Sequence, residues 1–278
     1  MKSLSIGLAL IGALALTGCN DYGNEDAQTK KVLNVVDESD LNDVMLEAAD
    51  PNEAVNYFAN TLQQDPERDD LRRGLAQSLL KARRATEAVV IYKQLDDRGA
   101  MDTQDRLNYS DALIRAGEWD QAKAQMNQIP PSVETYQRYL LEALIADSEK
   151  DWKKADSFYN TAAGLTTQPA SVLNNWGYSK LTRRDFKGAA VLFSEAITHD
   201  KKMFTAKNNL VLARGAMELY DLPIIPMNTE EKAVLTYTAG LAAVKNGDKS
   251  TGRSLFQKAI DLHPRHFEEA ANSLKALG

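Results

Sequence analysis

A chain of 278 residues, 44% of them hydrophobic and 26% charged, has the apolar side chains for a sizeable buried core and is not a disordered tail. Lys and Arg number 33 against 39 Asp and Glu, a net charge of −6, so the clustered positive charge needed to hold phosphate backbones is missing and no nucleic-acid partner is expected. One cysteine and three histidines exclude a disulfide framework and leave too few soft ligands for a zinc centre.

At the amino end, Met1 to Gly18 reads as a secretory leader, with Lys2 as the positive start and an almost unbroken apolar run from Ile6 to Leu16. A run of about 11 residues is too short to span a bilayer, which takes about 20. Leu16-Thr17-Gly18-Cys19 resembles the lipobox of bacterial lipoproteins. The resemblance implies that the Cys19 thiol receives diacylglycerol and that the mature protein starts there, anchored to a membrane without crossing it. Each buried methylene contributes about 0.8 kcal/mol to such an anchor, and stable attachment takes more than one chain. Asn20 follows the cysteine where many inner-membrane lipoproteins carry aspartate, so the sorting rule that accompanies the motif points to the periplasmic side of the outer membrane. The expected organisation is a leader over 1–18, a lipidated polar tether over 19–31 that reaches about 40 Å when stretched, and a folded domain over 32–278.

Beyond the tether, Ala54, Ala88, Ala122, Ala155 and Ala189 recur at spacings of 34, 34, 33 and 34 residues. Four residues after each stands a large side chain: Phe58, Tyr92, Met126, Tyr159 or Phe193. Three further on come Thr61, Leu95, Ile129, Ala162 and Ala196. Steps of four and three share one helical face, so each unit holds a helix with a small contact point and a bulky wedge. About twelve residues upstream, Leu75-Ala76, Tyr109-Ser110, Glu142-Ala143 and Trp176-Gly177 place a small residue where a second helix approaches. Each unit is therefore expected to be two antiparallel helices. Asp50-Pro51 supplies a cap and a first-turn proline, Gly117 and Gly247 mark turns, and Trp119, Trp152 and Phe186 stand three residues before the repeat alanine as staples of the turn.

This pattern resembles the tetratricopeptide repeat, most fully at Trp176-Gly177, Ala189, Phe193 and Ala196, and again at Gly240, Phe256, Ala259 and Pro264. The resemblance covers residues 35–266 and implies an all-α superhelical solenoid of antiparallel helix pairs, with Phe267 to Leu277 as a C-terminal capping helix. About six complete repeats start near Val35, Asp69, Thr103, Tyr136, Ala170 and Ala233. One unit, at 204–232, departs: Thr205 to Tyr220 is expected as its first helix, but Pro223 and Pro226 fall where the second should begin and favour an extended path.

No constellation for catalysis emerges, and neither a cofactor nor a small-molecule substrate is expected. His263 and His266 flank Pro264 with no third ligand, His199 ends a helix, and neither a nucleophile elbow nor a phosphate-binding glycine loop occurs. Asp69-Asp70 and Asp96-Asp97 read as solvated repeat junctions, and the three tryptophans as packing groups. In the resembled repeat the first helices line a groove that takes a partner segment. Its groove-facing positions here carry Arg73, Gln77, Asn108, Asp111, Arg115, Asn174, Tyr178 and Asn208. Asn174-Asn175 and Asn208-Asn209 recur 34 residues apart, and asparagine amides both donate to and accept from a peptide backbone.

Lipobox, tether and repeats, with the run Asn208-Asn209-Leu210-Val211-Leu212-Ala213-Arg214 leading into Leu222-Pro223-Ile224-Ile225-Pro226-Met227 and the closing His263-Pro264-Arg265-His266-Phe267, resemble the TadD family, lipoproteins of Flp (Tad, tight adherence) pilus assembly. That resemblance implies a pilotin-like factor whose partners are the outer-membrane secretin and other Tad assembly proteins. The alternative is the same architecture serving as a scaffold for cell-wall hydrolases or for outer-membrane protein insertion.

Overall fold

The computed structural model describes residues 41–278, and among them every regular element is helical. The leader, Cys19 and the tether lie outside these residues. After helical turns at 41–47 come α1 (Pro51–Gln64), α2 (Asp69–Lys81), α3 (Ala85–Asp97), α4 (Thr103–Ala116), α5 (Trp119–Met126), α6 (Tyr136–Ser148), α7 (Trp152–Gly164), α8 (Ala170–Thr182), α9 (Phe186–His199), α10 (Phe204–Gly215), α11 (Thr229–Lys245), α12 (Lys249–Leu262) and α13 (Glu268–Ala276).

Polar side chains cap seven of these helices. Asp50 accepts from the backbone N–H of Asn52 at 2.8 Å to begin α1, and Asp102 with Asp105 forms a capping box on α4. Asp151, Asp185 and Asp248 cap α7, α9 and α12. Trp119, Trp152 and Phe186 are the first residues of α5, α7 and α9. Each first helix ends in a left-handed residue. Gly117 takes this conformation at φ 82°, but Arg83, Lys150, Arg184 and Glu218 take it at φ 61–67°, which costs a side-chain-bearing residue about 1–2 kcal/mol. The turn is thus a property of the repeat, and glycine marks it only at Gly117 and Gly247.

The wedges interlock with the small residues. Phe58, Tyr92, Met126, Tyr159, Phe193 and Phe256 are all buried, as are the repeat alanines Ala54 to Ala189. A Cβ on Gly177 would lie 2.7 Å from the Phe193 ring, and one on Gly240 would lie 2.7 Å from Phe256, so hydrogen is the only side chain that lets these helix pairs close. Each buried aromatic contributes about 1.5–3 kcal/mol relative to exposure. Tyr92 stacks on Tyr109 at 5.8 Å and Tyr159 on Trp176 at 6.2 Å, carrying the core from one pair to the next.

In the departing unit α10 stops at Gly215, short of the expected Tyr220, and no helix occupies 216–228. Pro223 stands 34 residues after Ala189, at the position of the repeat alanine. A strap covers the core instead. Leu222 and Met227 pack on Val211, Leu235 and Ala239, and Ile225 packs on the cluster that holds Phe193 and Leu210, while Ile224 points fully outward. With the second helix missing, α10 and α11 meet directly. A Cβ on Gly215 would come within 2.5 Å of the Ala242 Cβ, and Asn246 Nδ2 donates to the Gly215 carbonyl at 2.8 Å. At the carboxyl end Phe267 and Ala270 close over Ala233 and Ala259, which covers the last apolar edge as a solenoid requires. No helix among the described residues is long and apolar enough to cross a membrane.

Candidate functional site

The first helices of successive units, α2, α4, α6, α8, α10 and α11, build one face, and its side chains fall into two groups. Several of the expected groove residues bond to neighbouring repeats. Arg73 Nε donates to Asp105 at 2.6 Å and its guanidinium also reaches the Ala100 carbonyl; the Asp105 hydrogen bond holds the arginine above its usual pKa, against the opposing cost of burial. Asn108 accepts from Gln104 at 2.9 Å and from Gln137 of the next repeat at 3.0 Å. Asn174 accepts from Asn209 at 3.0 Å, and Asn208 accepts from Thr238 at 2.8 Å, so the recurring asparagines join α8 to α10 and α10 to α11. Asp111 and Arg115 pair along α4 at 2.8 Å. Gln77 is half-buried and Tyr178 is 55% exposed.

Two clefts open on this face. A cleft of about 270 Å³ is lined by Trp119, Leu144, Trp152 and Tyr178 together with Asp147. Trp119 is 38% exposed, so it serves the surface as well as the turn. Burial raises the Asp147 carboxyl above its usual value even though Ser179 donates to it at 2.7 Å and Tyr159 at 2.8 Å. Behind it burial also works against the Asp156 charge, but Arg183, Trp176 at 2.6 Å and Lys180 at 3.2 Å all donate to that carboxylate and hold it below its usual range. Arg183 in turn stacks over Trp152, 5.6 Å from the ring centre.

The larger cleft, of about 580 Å³, spans α8, α10 and α11. Leu181, Phe186, Leu212 and Leu241 give it an apolar lining, and Arg184 and Lys245 are its charged members. No sequence pattern marks this cleft, because its residues come from four elements; the one trace of it in the chain is the pair of leucines on consecutive first helices, Leu212 and Leu241. His263 sits in a turn, its Nδ1 2.9 Å from the Arg265 carbonyl and its ring 4.8 Å from that of Phe267. Among the described residues no group of three metal-ligating side chains converges.

A family model described as tetratricopeptide repeat matches residues 45–104. No curated protein matches the sequence. Among solved structures, a chain of the APC/C hetero-tetramer Cut9-Hcn1 is similar at 15% identity and a TM-score of 0.59, over 85% of this chain and 48% of that one. A tetratricopeptide repeat protein from Parabacteroides merdae is similar at 12% identity and 0.54, over 91% and 98%. Human IFIT1, solved as a dimer with PPP-AAAA, is similar at 14% identity and 0.56, over 82% and 59%. The chain thus spans about half the length of the Cut9-Hcn1 chain it matches, and at such identities the likeness is one of fold.

The repeat matched at residues 45–104 and the stacked helix pairs among the described residues give this chain the fold of the tetratricopeptide-repeat class. The fold of that class is a scaffold for protein–protein interaction, generally without catalysis.

Proposed function

We propose that the protein is an outer-membrane lipoprotein of the TadD type that binds and helps assemble components of the Flp (Tad) type IVb pilus machinery, acting as a pilotin for its secretin. The observation that carries this reading is the union in one chain of a lipobox ending at Cys19 with a repeat array interrupted by Pro223 and Pro226. Lipid supplies location and the face built by the first helices supplies selectivity. A tether of this length confines the array near the membrane, and such confinement raises the effective concentration of a membrane-bound partner toward the millimolar range. Modest affinity at the face then suffices.

The test is affinity purification of the intact lipidated chain from membranes, beside a Cys19→Ser variant. The secretin should accompany the wild-type chain, residue 19 should carry acyl groups by mass spectrometry, and the variant should leave the membrane fraction. An unmodified Cys19, or a preparation free of every pilus-assembly component, contradicts the reading. Recovery of cell-wall hydrolases in place of the secretin would favour the scaffold alternative.

A further inference from the structure

The cleft between α8, α10 and α11 carries charge of one sign. Its lining holds two cations, Arg184 and Lys245, and no carboxylate, although the whole chain has net charge −6. Both cations are exposed. Arg184 stands at the cleft because its left-handed backbone, at φ 67°, turns the chain there between α8 and α9. Beside them Leu212 is 36% exposed and Leu241 42% exposed, and apolar surface beside unpaired cations is what a partner of opposite charge would cover.

The spacing of the apolar positions selects the shape of the occupant. Leu181, Leu212 and Leu241 come from three successive first helices, and packed helices lie about 8–10 Å apart. Two turns of an α-helix advance about 10–11 Å, so residues at i and i+7 of a docked helix meet leucines on neighbouring helices. An extended strand repeats the same face about every 7 Å and falls out of step. We propose that this cleft docks an acidic amphipathic helix of a partner protein, with its apolar side chains on Leu181, Leu212 and Leu241 and its flanking carboxylates on Arg184 and Lys245. The inference deepens the proposed function, resting on its claim that the first-helix face binds a protein segment, and gives that segment a chemistry.

The probes are two designed helical peptides of 21 residues or so, with leucine at i, i+7 and i+14 and flanks of glutamate in one and lysine in the other, measured by fluorescence anisotropy against the intact, detergent-solubilised chain. The glutamate peptide should bind at least tenfold tighter than the lysine peptide. Arg184→Glu with Lys245→Glu should invert that order, and Leu241→Asp should weaken both peptides at least tenfold, each variant keeping the wild-type circular dichroism and melting profile. Glu218 already occupies the equivalent left-handed turn, so the backbone accepts glutamate at 184. Equal binding of the two peptides, no binding of either, or an order unmoved by the charge reversal overturns the proposal. If the chain captures the secretin yet shows no preference for the acidic peptide, this inference alone fails. If the preference holds and no pilus component is captured, the pilus reading falls and the cleft assignment stands.

Discussion

Lys207 on α10 donates to both carboxylate oxygens of Glu231 on α11, at 2.8 and 3.0 Å, with the lysine side chain 3% exposed and the glutamate 19% exposed. Glu231 also accepts from the Asn228 backbone N–H at 3.0 Å and closes the capping box of α11. This pair bridges the two first helices where the repeat lacks its second helix. Burial opposes the glutamate charge, but Lys207 and the Asn228 amide outweigh it and hold the carboxyl below its usual value of 4.5. Removing one partner of a buried pair leaves the other charge uncompensated, so Glu231→Gln should cost about 3 kcal/mol in urea unfolding, and replacing both residues with Met should restore most of it. The carboxyl is more acidic in the folded state, so its contribution is complete above the ordinary glutamate value and fades as pH falls through the lowered one. Wild type should therefore lose stability relative to Glu231→Gln on acidification below about pH 4.5.

The contact of Gly177 with Phe193 tests the wedge. Gly177→Ala puts a methyl 2.7 Å from the ring and should destabilise by about 1–3 kcal/mol through overpacking. Phe193→Leu in the same chain should recover part of that loss, since it removes the ring atoms the methyl strikes. Thermal melts of the single and double variants check the coupling.

In the strap, Ile224 and Ile225 are neighbours in sequence with opposite surroundings: Ile224 is fully exposed and Ile225 packs on the core. Ile224→Ala should change stability by less than about 0.5 kcal/mol. Ile225→Ala should cost about 1–2 kcal/mol for the part of the side chain withdrawn from water. Chemical denaturation reads both.

Asp147 and Asp156 differ in the sign of their response to charge removal. Burial favours the protonated form of Asp147, so its contribution to folding is greatest at low pH and falls as pH rises through its elevated pKa. Asp156 is held ionised chiefly against burial by Arg183, Trp176 and Lys180, so its contribution is full at neutral pH and is lost as pH falls through its lowered pKa. At pH 7 Asp156→Asn should cost about 1–3 kcal/mol, because charge-assisted hydrogen bonds are weakened, and Asp147→Asn should cost less. Urea midpoints of the two variants at one pH decide the order.

Much of the fold is legible in the chain because the repeat writes the same packing rule each time. The expected unit starts at Asp69, Thr103, Tyr136 and Ala170 coincide with the first residues of α2, α4, α6 and α8, since small residue and wedge recur in register and a helix cannot shift without separating them. The end of α10 was less legible: a helical pattern runs on past Gly215, and the close approach of Ala242 is a tertiary fact. The candidate face was legible only as a set of positions. Position does not tell whether Asn208 reaches into the groove or across to Thr238, 30 residues away, because both choices lie on one helix face and the neighbouring helix decides. The cleft of Leu181, Leu212 and Leu241 was hidden for the same reason: it exists only once three helices stand side by side.

The proposal that the first-helix face holds the partner is tested most directly by comparing capture of the secretin by three forms of the full chain, each expressed with its leader and purified from membranes. One is wild type, one carries Tyr178→Asp with Leu241→Asp on the first-helix face, and one carries Val90→Asp with Val191→Asp on the exposed surfaces of second helices α3 and α9. Secretin recovered with wild type and with the second-helix variant, and lost by at least tenfold from the first-helix variant, is the predicted result. Retention by the first-helix variant, or loss from the second-helix variant alone, would contradict it.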